Sequence, residues 1–324
     1  MIFGITMGDS SGVGPEILLK AARNGEIPHP FVVYGDLAVL ERANRQLGYG
    51  LSIAPVTSPS MLAADRVNVI DHALLREDDV RPGELSRPSG KAARDYVVSA
   101  ANACLRGEIA AMVTLPMNKE ATQLSDPKFT GHTELIGEVC NAPDVTIMLA
   151  SNDLVVTHVS THVSLREAIE RAKKPRVLRI IEMTCEAVAR LHSKPRIAVA
   201  GLNPHAGENG LFGQEEIEEI RPAVEEAQAK GLPVDGPFPP DTVFYMAVRR
   251  KKFDAIVCMY HDQGHIPSKL LDFEAGVNVT LGLPIIRTSV DHGTAFDIAW
   301  KGIASTTSLV SAFNFAVRMA SGPR

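Results

Sequence analysis

Three histidines stand in loops that each follow a short apolar run: His162 in STHVSL, His205 in NPHAGE and His261 in MYHDQG. One histidine after one strand is more often a structural residue than a ligand. Three of them indicate a shared site, because parallel strands bring their carboxyl ends to one edge of a sheet. Imidazoles suit zinc and other divalent metals, and three protein ligands with an open fourth position are typical of a catalytic site. Asp262 and Glu208 either orient the rings or are surface carboxylates.

The elements that must position these histidines alternate along the chain. Short runs rich in β-branched residues are separated by longer amphipathic stretches, which predicts an α/β fold with a mostly parallel sheet. Helical patterns cover residues 90–106, 165–191 and 215–229, and the last opens with acidic residues that suit a helix N-terminus. The Pro-rich piece 236–240 predicts a stiff loop. Strands are predicted at 2–7, 31–34, 67–70, 110–114, 154–159, 196–200 and 255–259.

Composition excludes several classes of protein. The chain has 324 residues, of which 45% are hydrophobic and 22% charged, so it can bury an extensive core and is neither disordered nor fibrous. The net charge of -5 comes from mixed charges without a basic stripe, which argues against a nucleic-acid partner. No run approaches a membrane span, and the N-terminus does not have the pattern of a signal peptide. The four cysteines form no CxxC pair, so we expect reduced thiols and a cytoplasmic protein.

Two further loops carry polar groups at strand or helix ends. The turn from Gly8 to Glu16 joins a predicted strand to a helix, and it suits either a ligand-facing loop or a tight turn. His132 and Thr133 stand side by side in front of a helix, where they contact a substrate anion or cap the helix. Lys119 follows another apolar run, although a solvated lysine is the more common outcome there.

The segment 263–304 contains the last group of candidate residues. Lys269, Asn278 and Arg287 lie in and around the apolar stretch 277–286, and a lysine, an arginine and an amide near strand ends would form a pocket for a phosphorylated or carboxylated small molecule. The alternative is that Lys269 and Arg287 form surface ion pairs with Asp272 and Asp291.

These motifs resemble, over essentially the whole chain, the 4-hydroxythreonine-4-phosphate dehydrogenase family. The matching pieces are ITMGD, GVGPEI, VTLPMNK, GHTE, the histidine of STHVSL, NPHAGE with FGQEE, GPFPPDT, MYHDQG, VNVTLGLPIIRTS and DHGTAFDIA. The resemblance implies two α/β/α domains that share a mixed, largely parallel sheet, as in isocitrate and isopropylmalate dehydrogenases. The expected domains are 1–124 with 272–324, and 125–271. It also implies a homodimer with a shared active site, and NAD or NADP bound without a Rossmann fingerprint.

The family pattern, carried over residue by residue, assigns each candidate a role. A divalent metal (Zn, Mg, Mn or Co) is expected on His162, His205 and His261, with one histidine supplied by the partner subunit. The implied reaction is hydride transfer from a carbon bearing a secondary hydroxyl to NAD, followed by decarboxylation, with Lys269 and His132 as the catalytic candidates. Substrate contacts are expected from His132, Thr133, Lys269, Asn278 and Arg287, and cofactor contacts from Asp291, His292, Gly293, Thr294 and Asp297.

The chain departs from the common family pattern at Ser10 and Ser11, in the segment HIPSKL, and at Trp300, which stands where a glycine usually follows DIA. We expect Trp300 to be a packing residue. The segment HIPSKL is more similar to a second branch of the family, which resembles dehydrogenases of threonate or erythronate 4-phosphate. A related branch oxidises cis-dihydrodiols of terephthalate. The leading expectation is a dehydrogenase of the 4-hydroxythreonine 4-phosphate type, in pyridoxine biosynthesis. A metal-dependent hydrolase and a catalytically silent binding protein are the alternatives from other classes.

Overall fold

The computed structural model describes residues 1–323 and divides them into two compact units. The first unit comprises Met1–Val145 and Leu283–Ala320, and the second is built on Thr146–Gly282. Both boundaries lie later in the chain than the expected ones. One reason is that helix α5 (His132–Val139), which the expected boundary at 125 assigns to the second domain, packs against helix α3 (Arg87–Leu105) of the first unit.

The first unit contains a six-stranded, fully parallel sheet in the order β3-β4-β2-β1-β5-β12. Strands β1 and β5 are buried along their whole length, because helices cover the faces of parallel sheets. The strands are β1 (Phe3–Thr6), β2 (Phe31–Gly35), β3 (Ile53–Pro55), β4 (Val67–Asp71), β5 (Ala111–Thr114) and β12 (Arg287–Val290). The other helices are α1 (Gly14–Arg23), α2 (Leu37–Leu47), α4 (Lys119–Gln123) and α11 (Thr307–Ser321).

The second unit contains a mixed sheet in the order β11-β6-β7-β10-β8-β9. Only β6 runs against its two neighbours; β7, β10, β8 and β9 are parallel. The strands are β6 (Thr146–Ala150), β7 (Val155–His158), β8 (Ile197–Ala200), β9 (Val234–Phe238), β10 (Ala255–Cys258) and β11 (Val277–Leu281). The helices are α6 (Leu165–Arg171), α7 (Lys174–Ala189), α8 (Arg221–Ala229), α9 (Pro240–Val248) and α10 (His261–Leu271).

The prediction of an α/β fold with a mixed, largely parallel sheet is confirmed, and all seven predicted strands are present within one or two residues. Two local predictions are wrong. The single helix over 165–191 is two helices, because α7 restarts at Lys174 with Pro175 in its first turn. The predicted loop 236–240 instead contributes to edge strand β9, where proline is tolerated, and to the start of α9.

Across the described residues, no helix is both long and apolar enough to cross a bilayer.

Candidate active site

The three predicted metal ligands follow three adjacent, parallel strands of the second unit. His162 follows β7, His261 follows β10 and His205 follows β8, and the strand order places β10 between the other two. The three histidines therefore follow strand ends at one edge of the sheet, as the sequence analysis expected of a shared site.

His162 and His261 come close together at this edge. Their ring centroids are 5.6 Å apart, and the two residues line a cavity of about 470 Å³ between the loop 161–165 and the start of α10. His261 Nδ1 lies 2.6 Å from Asp262 Oδ1, which directs the other ring nitrogen away from this contact. A carboxylate on the second nitrogen is the usual arrangement of a metal-bound histidine. These two imidazoles are donors of the kind that a divalent metal takes, and they fit two of the positions of such a site.

His205 does not complete this pair within one chain. Among residues 1–323, no three His, Cys, Asp or Glu side chains form a group that could hold a metal ion. The exposed His205 ring has Phe212 as a neighbour, with centroids 6.3 Å apart. Glu208 is also exposed, and its carboxylate makes no hydrogen bond to His205 in the described structure.

The backbone that carries His205 has an unusual conformation. Five consecutive residues, 205–209, have φ between 44° and 79°, and only Gly207 among them is a glycine. Left-handed geometry costs an L-residue about 1–2 kcal/mol, so surrounding contacts must hold this turn. This strain could not be predicted from the sequence, since the segment has a glycine at only one of the five left-handed positions.

Two histidines that sequence reasoning missed lie against His261. The His265 ring stacks on His261 with centroids 3.7 Å apart and an angle of 8°, and its Nδ1 is 3.2 Å from His158 Nε2. The pKa of His158 is lowered to about 3, mainly because the ring is buried and, to a smaller extent, because of its neighbours His265 and His261. Gly264 makes room for this ring, because a Cβ there would lie 2.4 Å from His158 Nε2. The signal was available, since His261 and His265 are four residues apart on one helix.

The first unit brings together a different pair of predicted residues, Arg287 and His132. Arg287 is only 4% exposed, and its Nε and Nη2 donate to Thr114 Oγ1 at 3.1 and 2.6 Å. Burial lowers the pKa of Arg287 to about 10, so the guanidinium stays charged at neutral pH. The surface location considered for Arg287 is therefore wrong, because the side chain is inside the protein.

His132 begins helix α5 beside this guanidinium. Burial and, secondarily, the charge of Arg287 lower the pKa of His132 to about 3, and its buried Nε2 has no hydrogen-bond partner in the described structure. Thr133 follows in the first turn of the same helix. A neutral imidazole, a buried guanidinium and the amides of a helix N-terminus together suit an anion such as a phosphate.

Lys269 and Asn278 belong to the second unit. Lys269 lies on α10 with its ammonium 5.0 Å from the centre of the Phe273 ring. Asn278 lies on β11 in register with Leu149 of β6. Lys119, at the start of α4, is exposed, in keeping with a solvated lysine.

The segment predicted for the cofactor, 291–297, follows β12 in the first unit. Its residues Asp291, His292, Gly293, Thr294 and Asp297 lie outside regular elements, and the Thr294 carbonyl accepts a hydrogen bond from the Val13 amide at 3.0 Å. Gly12 allows this approach, since a Cβ there would be 2.8 Å from the Thr294 oxygen. Residues 8–14 are buried throughout, as expected of a tight turn.

Asp9, in the same turn, is a buried carboxyl that the sequence did not single out. Its Oδ1 accepts from the Ser11 amide at 2.9 Å, whereas its buried Oδ2 has no partner among the described residues. Burial raises the pKa of Asp9 to about 6.

Trp300 is 3% exposed, and the guanidinium of Arg42 lies 5.4 Å from the centre of its ring. It is therefore a packing residue. Its φ of 60° explains why a glycine suits this position, since glycine adopts left-handed geometry without strain.

Comparison with known proteins identifies the class. A D-threonate 4-phosphate dehydrogenase of Salmonella typhimurium is 44% identical over 98% of both chains. A 4-hydroxythreonine-4-phosphate dehydrogenase of Desulforapulum autotrophicum is also 44% identical, over 98% of this chain and 95% of its own. The crystal structure of a 4-hydroxythreonine-4-phosphate dehydrogenase from Klebsiella pneumoniae superposes with a TM-score of 0.91 at 42% identity, over 98% of this chain and 99% of the other. The protein is an oxidoreductase of the dehydrogenase type.

The family follows from a separate comparison. The sequence model of the family described as "Pyridoxal phosphate biosynthetic protein PdxA" matches residues 26–316. The chain belongs to this family, and the resemblance drawn from its motifs is confirmed.

Proposed function

We propose that this chain catalyses the NAD-dependent and divalent-metal-dependent oxidation, with decarboxylation, of a phosphorylated four-carbon 3-hydroxy acid. The observation that carries this proposal is the pair His162 and His261, 5.6 Å apart at the carboxyl ends of parallel strands, with Asp262 on the far nitrogen of His261. A hydrolase could use the same ligands, but the relatives at 44% identity are dehydrogenases, which argues against it.

The metal would be held by His162, His205 and His261. When bound, it would supply Lewis-acid polarisation of the substrate hydroxyl and carboxylate, while NAD would accept the hydride. The protein's own residues supply binding and proton transfer. Arg287 and His132 bind the phosphate, since a charged donor and a neutral imidazole lie together in a buried site. Lys269, on the helix that begins with His261, accepts the hydroxyl proton that is released when the hydride leaves, or donates the proton that the enolate takes up after loss of carbon dioxide.

We further propose a homodimer in which His205 is provided by the partner copy. Within one chain, His205 belongs to no group of three metal-binding side chains among the described residues. Large apolar side chains are exposed on α10 and just after it: Ile266 and Leu270 of the helix are 63% and 84% exposed, and Phe273, two residues beyond its end, is 70% exposed. Phe212, beside the His205 ring, is 48% exposed. Clusters of exposed apolar side chains mark interaction surfaces.

The reaction is tested by following nicotinamide reduction with and without added Zn²⁺, Mn²⁺ or Mg²⁺. The substrates are 4-hydroxythreonine 4-phosphate, D-threonate 4-phosphate, D-erythronate 4-phosphate and an unphosphorylated terephthalate dihydrodiol. Metal-dependent reduction with a phosphorylated acid supports the proposal. Preference for the dihydrodiol would remove the phosphate role of Arg287 and His132. Phosphate release without nicotinamide reduction would favour the hydrolase.

The shared site is tested by mixing two inactive variants, His205→Ala and His261→Ala. If the two histidines come from different chains, a mixed dimer has one intact site and one doubly altered site. Random exchange then restores about a quarter of the wild-type activity, because half of the dimers are mixed and half of their sites are intact. If all ligands come from one chain, mixing restores nothing.

A further inference from the structure

The turn that carries His205 is held by a residue outside it. Residues 205–209 are left-handed, and His205 is exposed at the outer side of the turn. Local backbone hydrogen bonds close the turn, from the Ala206 amide to the Asn203 carbonyl at 3.1 Å and from the Phe212 amide to the Gly207 carbonyl at 3.2 Å. These local bonds do not connect the turn to the sheet edge. A more distant anchor must therefore fix the direction in which His205 points.

Glu216 provides this anchor. It lies in the π-helical turn Glu216–Ile220 and is only 1% exposed. Its Oε1 accepts hydrogen bonds from the amides of Leu202 and Asn203, both at 2.7 Å, and its Oε2 accepts from Asn203 Nδ2 at 2.9 Å. The carboxylate thus holds the two residues that connect β8 to the turn.

Two glycines show how closely the carboxylate approaches the turn. A Cβ on Gly207, in the middle of the left-handed run, would lie 2.7 Å from Glu216 Oε2. A Cβ on Gly201, at the end of β8, would lie 3.1 Å from Glu216 Oε1 and 2.9 Å from the Ala206 Cα. The carboxylate therefore fills the space between the end of the strand and the inner side of the turn.

The other acidic residues of this segment have different roles. Glu215 is half-buried and accepts a hydrogen bond from Asn203 Nδ2 at 2.7 Å. Its pKa is lowered, mainly by a hydrogen bond from its own backbone amide and secondly by the bond from Asn203. Glu219 accepts from the Lys174 amide at 2.7 Å. Glu218 is exposed. An acidic helix start, which the sequence suggests, accounts for the exposed carboxylate but not for the burial of Glu216.

We infer that Glu216 is a positioning residue for the metal site: it fixes the left-handed turn so that His205 is presented to the metal in a single orientation. The inference rests on the proposed role of His205 as a ligand. Hydrogen-bonded partners that orient a ligand typically change metal affinity by about 10- to 100-fold when they are removed.

The test compares Glu216→Ala, the conservative Glu216→Gln, the matched control Glu218→Ala, and His205→Ala in the full-length protein. Zn²⁺ affinity is measured by competition with a chromophoric chelator, and hydrogen–deuterium exchange is measured on the metal-free proteins. We expect Glu216→Ala to bind Zn²⁺ about 10- to 100-fold more weakly, with faster exchange confined to residues 202–212. Glu216→Gln keeps one acceptor oxygen and should lose less affinity, while Glu218→Ala should match the wild type.

Wild-type Zn²⁺ affinity in Glu216→Ala, or unchanged exchange across residues 202–212, would overturn the inference. If Glu216→Ala does not fold, Glu216→Gln decides alone: weaker Zn²⁺ binding supports the inference and wild-type binding overturns it. The variant His205→Ala shows which part is wrong: the proposed role of His205 as a metal ligand, or the positioning role of Glu216. If His205→Ala binds Zn²⁺ as tightly as the wild type, His205 is not a ligand. If His205→Ala loses affinity and Glu216→Ala does not, only the positioning role is wrong.

Discussion

The two units hold their polar side chains in contrasting ways. In the first unit, Arg287 is buried beside the half-buried His132, and Thr114 fixes the guanidinium through two hydrogen bonds. In the second unit, His205 is exposed on a left-handed turn, and the carboxylate of Glu216 accepts hydrogen bonds from Leu202 and Asn203 just before this turn. The difference suggests two modes of preorganisation. Burial fixes the Arg287 guanidinium from all sides, whereas the exposed His205 ring needs a stiff backbone to hold its direction; in the proposed dimer this ring would point to the partner chain.

The largest expected effect is on the histidine edge of the second unit. His261→Ala should lower activity by at least about 10³-fold, because the metal would lose a ligand and with it several kcal/mol of charge stabilisation. Steady-state nicotinamide reduction measures this loss. Binding of inorganic phosphate, followed by calorimetry, should remain unchanged. A parallel loss of phosphate binding would mean that the two sites do not act independently.

The converse change is made in the first unit. Arg287→Gln should lower kcat/KM for the phosphorylated substrate by about 10²-fold, since a charge-assisted hydrogen bond contributes about 2–3 kcal/mol. Zn²⁺ affinity should stay at the wild-type value. Equal losses with phosphorylated and unphosphorylated substrates would contradict a phosphate-binding role for this arginine.

The pH dependence of stability tests the burial of His132. Its folded pKa of about 3 lies below the usual 6.5, so the unfolded state binds more protons between these values. The stability that this neutral histidine permits is present above pH 6.5 and is lost as the pH falls, by up to about 1.4 kcal/mol per pH unit. His132→Gln removes this one titrating group, so the free energy of unfolding should depend less on pH. At pH 5 the loss of stability relative to neutral pH should be smaller by about 2 kcal/mol in the variant. Denaturant titrations at pH 7.5 and pH 5 give the free energy of unfolding of both proteins. If this free energy falls by the same amount in the wild type and in His132→Gln, His132 is not buried in its neutral form.

The smallest expected effect concerns strain in the His205 turn. Glu208 is exposed with a φ of 44°, so Glu208→Gly should remove left-handed strain, partly offset by the greater flexibility of glycine when unfolded. We expect a net stabilisation of about 0.5 kcal/mol in the free energy of unfolding. Glu208→Ala, which keeps a Cβ, is the matched control and should not gain stability. A destabilised glycine variant would mean that the turn is not strained at this residue.

The amino-acid sequence determined the fold class, the family and the candidate ligands. Apolar β-branched runs identified the seven strands that were predicted, because buried parallel strands need continuous apolar side chains. The strands that the sequence missed were β3, β6, β9, β11 and β12. Of these, β3 is a short edge strand, β9 is an edge strand interrupted by proline, and β11 and β12 lie in one long apolar stretch that has no clear boundary.

Only the tertiary structure decided which of these residues meet. Long-range strand order placed His162 beside His261, and packing buried Arg287 against Thr114, because both depend on elements far apart in sequence. The same is true of Glu216. The acidic residues around Glu216 in the sequence indicate a helix start, yet the Glu216 carboxylate is enclosed by backbone amides that follow β8. The free energy of burying a charge depends on the donors that surround it, and those donors are assembled only when the chain folds.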